Sequence, residues 1–416
     1  MNLKKGEQKI IRIMKYAFLT TLVPHQAEEE IYGLSKRNMQ DAANALQWNI
    51  YNGLCRNIDE EIRIFNVLPI GSFPQYYKKP FVKSFCFNTD NGEKNINIGF
   101  CNVKLIRKYL QPSRIYKELN RWCDENKNED KTLFVYTASA VFMQVVDKLK
   151  QKYYRLKVCC IIADLPDMSS LSSKKSFLKK IFEKHLSDTS YRCLNQVDNF
   201  VLLTRYMADY MHIDKPFTVM EGIIPEVLEI DSKDDGEIRT ILYTGTLHKR
   251  FGILTLVEAF ELLSDPNYRL VICGVGDSED EIREAADRDP RIDFRGQVRR
   301  EVSLKLQRRA TVLVNPRQNI EEFTKYSFPS KTMEYLASGV PLIAYKLDGI
   351  PDEYDGYIFY VEDNSPEALA KKIDEVCQKP FEERKAFARN AQTFVKDKKN
   401  AKEQTKKIIE LINSGD

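Results

Sequence analysis

The sequence contains no run of about 20 apolar residues, so nothing in it reads as a membrane-spanning helix. Its basic start, MNLKKGEQKIIRIMKYAFLTTLVP, lacks a clean apolar region and a small-residue cleavage site. It therefore reads as the approach to a first core strand and not as a signal peptide. No CxxC pair and no Cys/His spacing offers a metal site. The nine cysteines (55, 86, 101, 123, 159, 160, 193, 273 and 377) are scattered, several inside apolar runs, as expected of reduced, buried thiols in the cytoplasm. A formal charge of +4 is too small to imply a nucleic-acid partner. No GxGxxG is followed by a ribose-binding acid, which disfavours a dehydrogenase, and His185, His212 and His248 have neither triad nor ligand spacing. Internal repeats and low-complexity segments are also missing.

What is present is an ordinary globular composition over 416 residues, 43% hydrophobic and 30% charged. That is enough for two domains of about 200 residues each. From residue 239 onward, short β-rich runs alternate with helical segments: TILYTGT, GILTLVEAFELL, YRLVICG, DSEDEIREAA, IDFRG, EVSLKLQRR, TVLVNP, VPLIAY, YIFYV and SPEALAKKIDEVC. Unbroken apolar strands with helical crossovers imply a parallel sheet covered on both faces. The first half repeats the pattern less clearly, with strands expected in IIRIMKYAFLT, EIRIFNVLP, 132–138, 156–164 and 198–204. Helices are expected over 36–54, 103–125 and 140–151. The expected fold class is α/β, with two Rossmann-like doubly wound parallel-sheet domains facing across a cleft. The boundaries read as 1–220 for a first domain, 221–239 for a linker rich in Pro, Gly and acids, and 240–395 for a second domain, an arrangement that suits a donor in one half and an acceptor in the other. A C-terminal helix over 396–416 is expected to pack back toward the first domain. Ligands of such sheets bind beyond the carboxyl ends of the strands.

One stretch, YSFPSKTMEYLASG (326–339), carries most of the chemistry. Pro329 suits the first turn of a helix, with Ser327 or Phe328 at the cap, and Gly339 suits the left-handed position after its end. Free amides near 327–331 and the helix dipole form an anion site, to which Ser327, Ser330 and Lys331 add hydroxyl donors and a cation. A diphosphate fits that description. Helical side chains lean toward the N-terminus, so Glu334 leans toward the anion. Phosphates would repel it, but a ribose just beyond them would offer it hydroxyl donors. The alternative is an ordinary surface acid on an amphipathic helix.

KYSFPSKTMEYLASGVPLIAY, ILYTGTLHKRFGILTLVEAF, VICGVGDSEDEI, FRGQV and DGIPDE together resemble the nucleotide-sugar signature of GT-B glycosyltransferases of family 4. The likeness is strong over about 240–378 and weak before residue 220, where only strand order and ADLPD agree. That family carries two glutamates eight positions apart; Glu334 matches the second, while Tyr326 stands where the first would be. Glu321 or Glu322 is a candidate substitute for the sugar contact. The resemblance implies a retaining, metal-independent transferase (EC 2.4 class) with no cofactor and a UDP- or GDP-sugar donor. The acceptor would be a lipid-linked or polysaccharide glycan.

The resemblance also implies a donor site that includes Gly245, Thr246, Gly274, Tyr326, Phe328 and Pro329, with the backbone of Val298 toward the base. Thr246 occupies the position of a family Arg. Arg250, with Lys249 and Lys331, is then expected to supply the charge that stabilises a departing diphosphate. Arg317, after the NPR strand end, is a further candidate. On the acceptor side the candidates are His25, which follows the first strand, and Asp164 in IIADLPD. Asp164 either orients a hydroxyl nucleophile or makes a turn before Pro166.

The segment SSKKSFLKKIFEKHL (172–186) gathers lysines beside an apolar face. It is either a helix lying on the anionic inner face of the plasma membrane or one packed on the sheet. Two other functions share the architecture: a non-catalytic sugar-nucleotide-binding partner in glycan assembly, and a nucleotide-sugar 2-epimerase, which this motif fits poorly.

Overall fold

The computed structural model describes residues 14–36, 41–165, 188–224, 236–320 and 322–414. The 172–186 segment and Glu321 lie outside them, as does most of the expected linker. The chain divides into two compact units. One runs to Leu202 and includes Ala208–Met220 and the stretch from Thr405; the other comprises Leu203–Met207 and Glu221–Gln404.

The expected apolar runs form the strands. In the first unit, Met14–Thr20, Ile62–Asn66, Asp130–Tyr136, Leu156–Ile162 and Asn199–Leu202 coincide with the predicted segments. They are buried because helices cover the sheet. The full sheet has eight strands in the spatial order Phe217–Val219, Asn199–Leu202, Leu156–Ile162, Asp130–Tyr136, Met14–Thr20, Ile62–Asn66, Gly92–Asn97 and Phe85–Thr89. All neighbours are parallel except the last pair, an antiparallel hairpin at one edge. The predicted 36–54 helix is observed as Asp41–Cys55, and a separate short helix, Glu28–Leu34, precedes it.

In the second unit the six strands lie in the order Ile292–Phe294, Tyr268–Cys273, Arg239–Thr244, Val312–Asn315, Leu342–Tyr345 and Phe359–Val361, all parallel. In chain order this is 3-2-1-4-5-6, the doubly wound arrangement whose direction reverses between strands 1 and 4. The first unit reverses in the same way between Met14–Thr20 and Asp130–Tyr136. The doubly wound α/β class expected from the sequence is therefore the one observed.

The tail differs from the single long helix expected. Phe381–Lys398 and Ala401–Asn413 are separate helices, broken at Lys399–Asn400. The break has a physical reason. Lys399 is 1% exposed, and its ammonium pairs with Glu221, itself buried, and with Glu353 Oε1 at 2.5 Å. Tyr354 Oη donates to the same Glu221 carboxylate at 2.8 Å. The second helix belongs mainly to the first unit, where Asn57 Nδ2 donates to Thr405 Oγ1 at 2.9 Å.

Candidate functional site

In the second unit the loop after Arg239–Thr244 leaves the sheet at the reversal point. The loop after Arg239–Thr244 is stitched to the one after Tyr268–Cys273: Gly245 N donates to Cys273 O at 2.9 Å, Leu247 N to Val275 O at 2.9 Å, and Ser278 N to Leu247 O at 3.0 Å. Two glycines permit close backbone approach around these loops. Gly274 has φ of 152°, and a Cβ there would fall 1.8 Å from Gly245 O. Gly252, at φ of 75°, would place a Cβ 2.0 Å from Pro316 O. No other residue fits either position.

The helix at the mouth spans Ser330–Ala337, and its N-cap is Pro329, at ψ of 107°, in place of the expected Ser327 or Phe328. Pro329 has no amide hydrogen, and Thr332 N is taken by Pro329 O at 2.8 Å. The amides of Ser330 and Lys331 remain outside the helical ladder, which narrows the anion site expected over 327–331. Gly339 has φ of 74°, as expected. Thr332, Met333, Tyr335 and Leu336 are buried against the core.

Glu334 is not a loose surface acid. Its side chain is 13% exposed. Oε1 accepts from Lys331 Nζ at 2.6 Å and from Gln307 Nε2 at 2.7 Å, and Oε2 from Arg300 Nη1 at 3.3 Å. Burial alone would raise its pKa. The charge and hydrogen bond of Lys331, the bond from Gln307 and the charge of Arg300 outweigh burial and hold it below the ordinary 4.5. The group is a fixed carboxylate at neutral pH.

The remaining candidates are placed as follows. Arg317 donates to Ser327 Oγ at 2.7 Å and lies over the Phe251 ring, 5.4 Å from its centroid. Arg250 lies over the same ring at 5.1 Å, and Lys249 pairs with Glu281. Thr246 is exposed, and its carbonyl accepts from Tyr243 Oη at 2.9 Å. Val298 is half-buried against the core, Phe328 is buried beside Tyr354, and Tyr326 ends a short 3₁₀ turn. Ser330 is exposed, and Lys331 half-buried.

Tyr335, beside Glu334 in sequence, points the other way. Its hydroxyl accepts from Thr244 N at 2.8 Å and donates to Thr244 O at 3.1 Å, fully buried. This fixes the helix against the strand that leads into the Gly245 loop. Tyr335→Phe strands a buried amide, so it is expected to lower unfolding free energy by about 1–3 kcal/mol, read as a shifted urea midpoint at unchanged slope.

In the first unit a cavity of about 120 Å³ opens at that sheet's own reversal point. Thr21, Asn44, Gln47, Tyr136, Thr137 and Asp164 are among its lining residues. The loop after the first strand is held by amide side chains. Thr21 N donates to Gln47 Oε1, Leu22 N to Asn66 Oδ1 and Val23 N to Asn44 Oδ1, each at 2.8 Å. Asp164 makes no hydrogen bond or ion pair among the described residues, and desolvation by surrounding protein raises its pKa. His25 is 70% exposed and stacked on Trp48, with centroids 4.5 Å apart; the cavity is lined by other residues.

Sequence reasoning missed Arg300, Gln307 and the amides of the first unit. A signal existed for the first two, since Arg300, Ser303 and Gln307 recur at helical spacing on one face.

Residues 228–394 match the family model described as glycosyl transferases group 1. No curated protein matches the chain in sequence. Solved structures match over nearly the whole chain. One is the α,α-trehalose 6-phosphate synthase of Burkholderia multivorans, with 11% identity, 97% of each chain covered and a TM-score of 0.62. Another is the E. coli trehalose-6-phosphate protein bound with UDP-2-fluoro glucose, with 9% identity, 95% of this chain and 98% of that one covered, and a TM-score of 0.60. A third is the lipopolysaccharide outer core galactosyltransferase WaaB, with 13% identity, 97% and 100% coverage, and a TM-score of 0.59. The fold is that of GT-B glycosyltransferases, and the matched segment contains the second unit's site. No helix among the described residues is long and apolar enough to cross a membrane.

Proposed function

We propose that the chain transfers a sugar from a nucleoside-diphosphate sugar to an acceptor hydroxyl, with retention of configuration. The observation that carries the reading is Glu334: a carboxylate held ionised by Lys331, Gln307 and Arg300, one turn inside a helix at the sheet's reversal point. An acid fixed there accepts hydrogen bonds from ribose hydroxyls, while the Ser330 and Lys331 amides meet the diphosphate. Lys331 and Arg317 add positive charge where a diphosphate departs, with Arg250 on the neighbouring loop. Chemistry of this kind is positioning plus electrostatics, in which the leaving phosphate takes the acceptor's proton on the same face. It needs no metal, so activity is expected to survive EDTA. UDP is the first donor to test, since one structural neighbour is bound with UDP-2-fluoro glucose.

The acceptor reading rests on the first unit's cavity. Its described lining sets hydroxyls, amides and one carboxylate beside the apolar Val23, Ala43, Pro69 and Ala163, the mixture that meets a sugar's hydroxyls and its C–H faces. Asp164 orients the attacking hydroxyl. Asp164→Asn is expected to slow transfer on the order of a hundredfold while leaving nucleotide affinity unchanged, measured by product formation and calorimetry. Equal loss of both would remove Asp164 from the acceptor side. A lipid-linked acceptor would bring 172–186 to an anionic membrane surface, which co-sedimentation with phosphatidylserine vesicles tests.

The test of the whole reading is a thermal-shift panel of nucleoside diphosphates and their sugars, followed by donor hydrolysis without acceptor. A non-catalytic binder is the second reading, favoured by Thr246 and Tyr326 in place of family charges and by Lys249 held on Glu281. Binding without hydrolysis or transfer would select it.

A further inference from the structure

The Arg300–Arg309 helix buries two polar side chains more deeply than its apolar ones. Val302 is 42% exposed, whereas Ser303 is 9% exposed and Gln307 fully buried. An amphipathic helix normally buries its apolar residues. Here the buried residues are Ser303 and Gln307, and with the exposed Arg300 they lie on the face that meets Glu334. Gln307 spends its amide on three acceptors: Glu334 Oε1 at 2.7 Å, Thr244 Oγ1 at 3.0 Å and Ser303 Oγ at 3.2 Å. Its own Oε1 is buried with no hydrogen-bond partner among the described residues. The opposite orientation of the amide would set that oxygen against the Glu334 carboxylate, so the donor end must face it. An unmet buried acceptor is costly, and such a cost in a native fold calls for a reason.

We infer that Gln307 is a positioning residue that sets the ribose selectivity of the site by fixing the rotamer and charge of Glu334. It joins that carboxylate to Thr244, the last strand residue before the Gly245 loop, and so couples the ribose end of the site to the diphosphate end. Thr244 is in turn clamped by Tyr335. Lys331 and Arg300 also face Glu334, but both are partly exposed and on flexible stems, 34% and 62%. Gln307 is the rigid member. The inference rests on Glu334 as the ribose ligand.

The experiment is calorimetry of UDP, GDP and ADP, then of the 2′-deoxy and 3′-deoxy forms of whichever binds tightest, to wild type and to Gln307→Met. Methionine keeps the length and removes the donor. Affinity for the ribonucleotide is expected to fall about tenfold or more in the variant, while the deoxynucleotide that lacks the bonded hydroxyl is little changed. The ribo/deoxy ratio therefore collapses. Loss of the Gln307 bond also lets the Glu334 pKa rise, so ribonucleotide binding should fail at a higher pH than in wild type. A purely structural role would weaken both nucleotides equally and leave the pH profile in place; that result overturns the inference.

If wild type itself shows no preference for ribose, the reading of Glu334 fails first, in a different measurement. Should Gln307→Met not fold, Gln307→Glu supplies the second arm. It sets two carboxylates against each other, and ribonucleotide binding should be lost at neutral pH and return on acidification, as one proton is shared. Binding by that variant as in wild type at neutral pH would refute the role.

Discussion

Replacing Glu334 with glutamine is expected to weaken nucleoside diphosphate binding by about 1.5–3 kcal/mol, roughly ten- to a hundredfold, with little change in stability. The direction follows from charge. An ionised carboxylate accepts stronger hydrogen bonds from hydroxyls than a neutral amide does, and glutamine presents one acceptor where glutamate presents two. The helix should survive, because Lys331 and Arg300 are exposed enough to turn to water when the acid is gone. The loss should concentrate in the ribonucleotide and be much smaller for inorganic pyrophosphate, which meets only the Ser330 and Lys331 amides and nearby cations. Equal loss for both ligands would mean that the acid supports the anion site and not the sugar.

The largest stability effect is expected at Lys399→Met. Lys399 and Glu221 both have side chains 1% exposed, and Tyr354 shares the carboxylate. Removing the ammonium leaves a buried charge with one hydroxyl donor, a loss of about 3–5 kcal/mol of unfolding free energy. The Glu353 carboxylate is 46% exposed and is solvated without the lysine. Adding Glu221→Gln to Lys399→Met should recover part of the loss, since the orphaned charge goes with it. Urea unfolding followed by circular dichroism measures both, and a deficit under 1 kcal/mol for the single variant would show that the cluster relaxes or hydrates.

The parts of the fold that were legible share one property. Strands such as 241–244 and 312–315 are buried on both faces, so burial alone wrote an apolar run. The edge hairpin Phe85–Thr89 and Gly92–Asn97 has one covered face and reads as mixed polarity. The Asn91–Gly92 pair was the available signal for its turn. The broken tail hides in uniform charge: nothing local distinguishes Lys399 from its neighbours, because its partner Glu221 is 178 positions away. In the second unit's site, Glu334 and the helix mouth could be read from local spacing. For Gln307 the available local signal was its helical spacing from Arg300 and Ser303, which does not by itself mark a buried residue. Its burial depends on Thr244 and Glu334, which the chain supplies from other elements. The same holds for Asn44 and Gln47, whose work is to hold a loop rather than to form a motif.

The most direct measurement is a crystal structure of the chain soaked with UDP or GDP, whichever binds more tightly. The account predicts a ribose hydroxyl within hydrogen-bond reach of a Glu334 carboxylate oxygen and the diphosphate against the amides of Ser330 and Lys331. Nucleotide density away from the Ser330–Ala337 helix, or a ribose turned from Glu334, would contradict it.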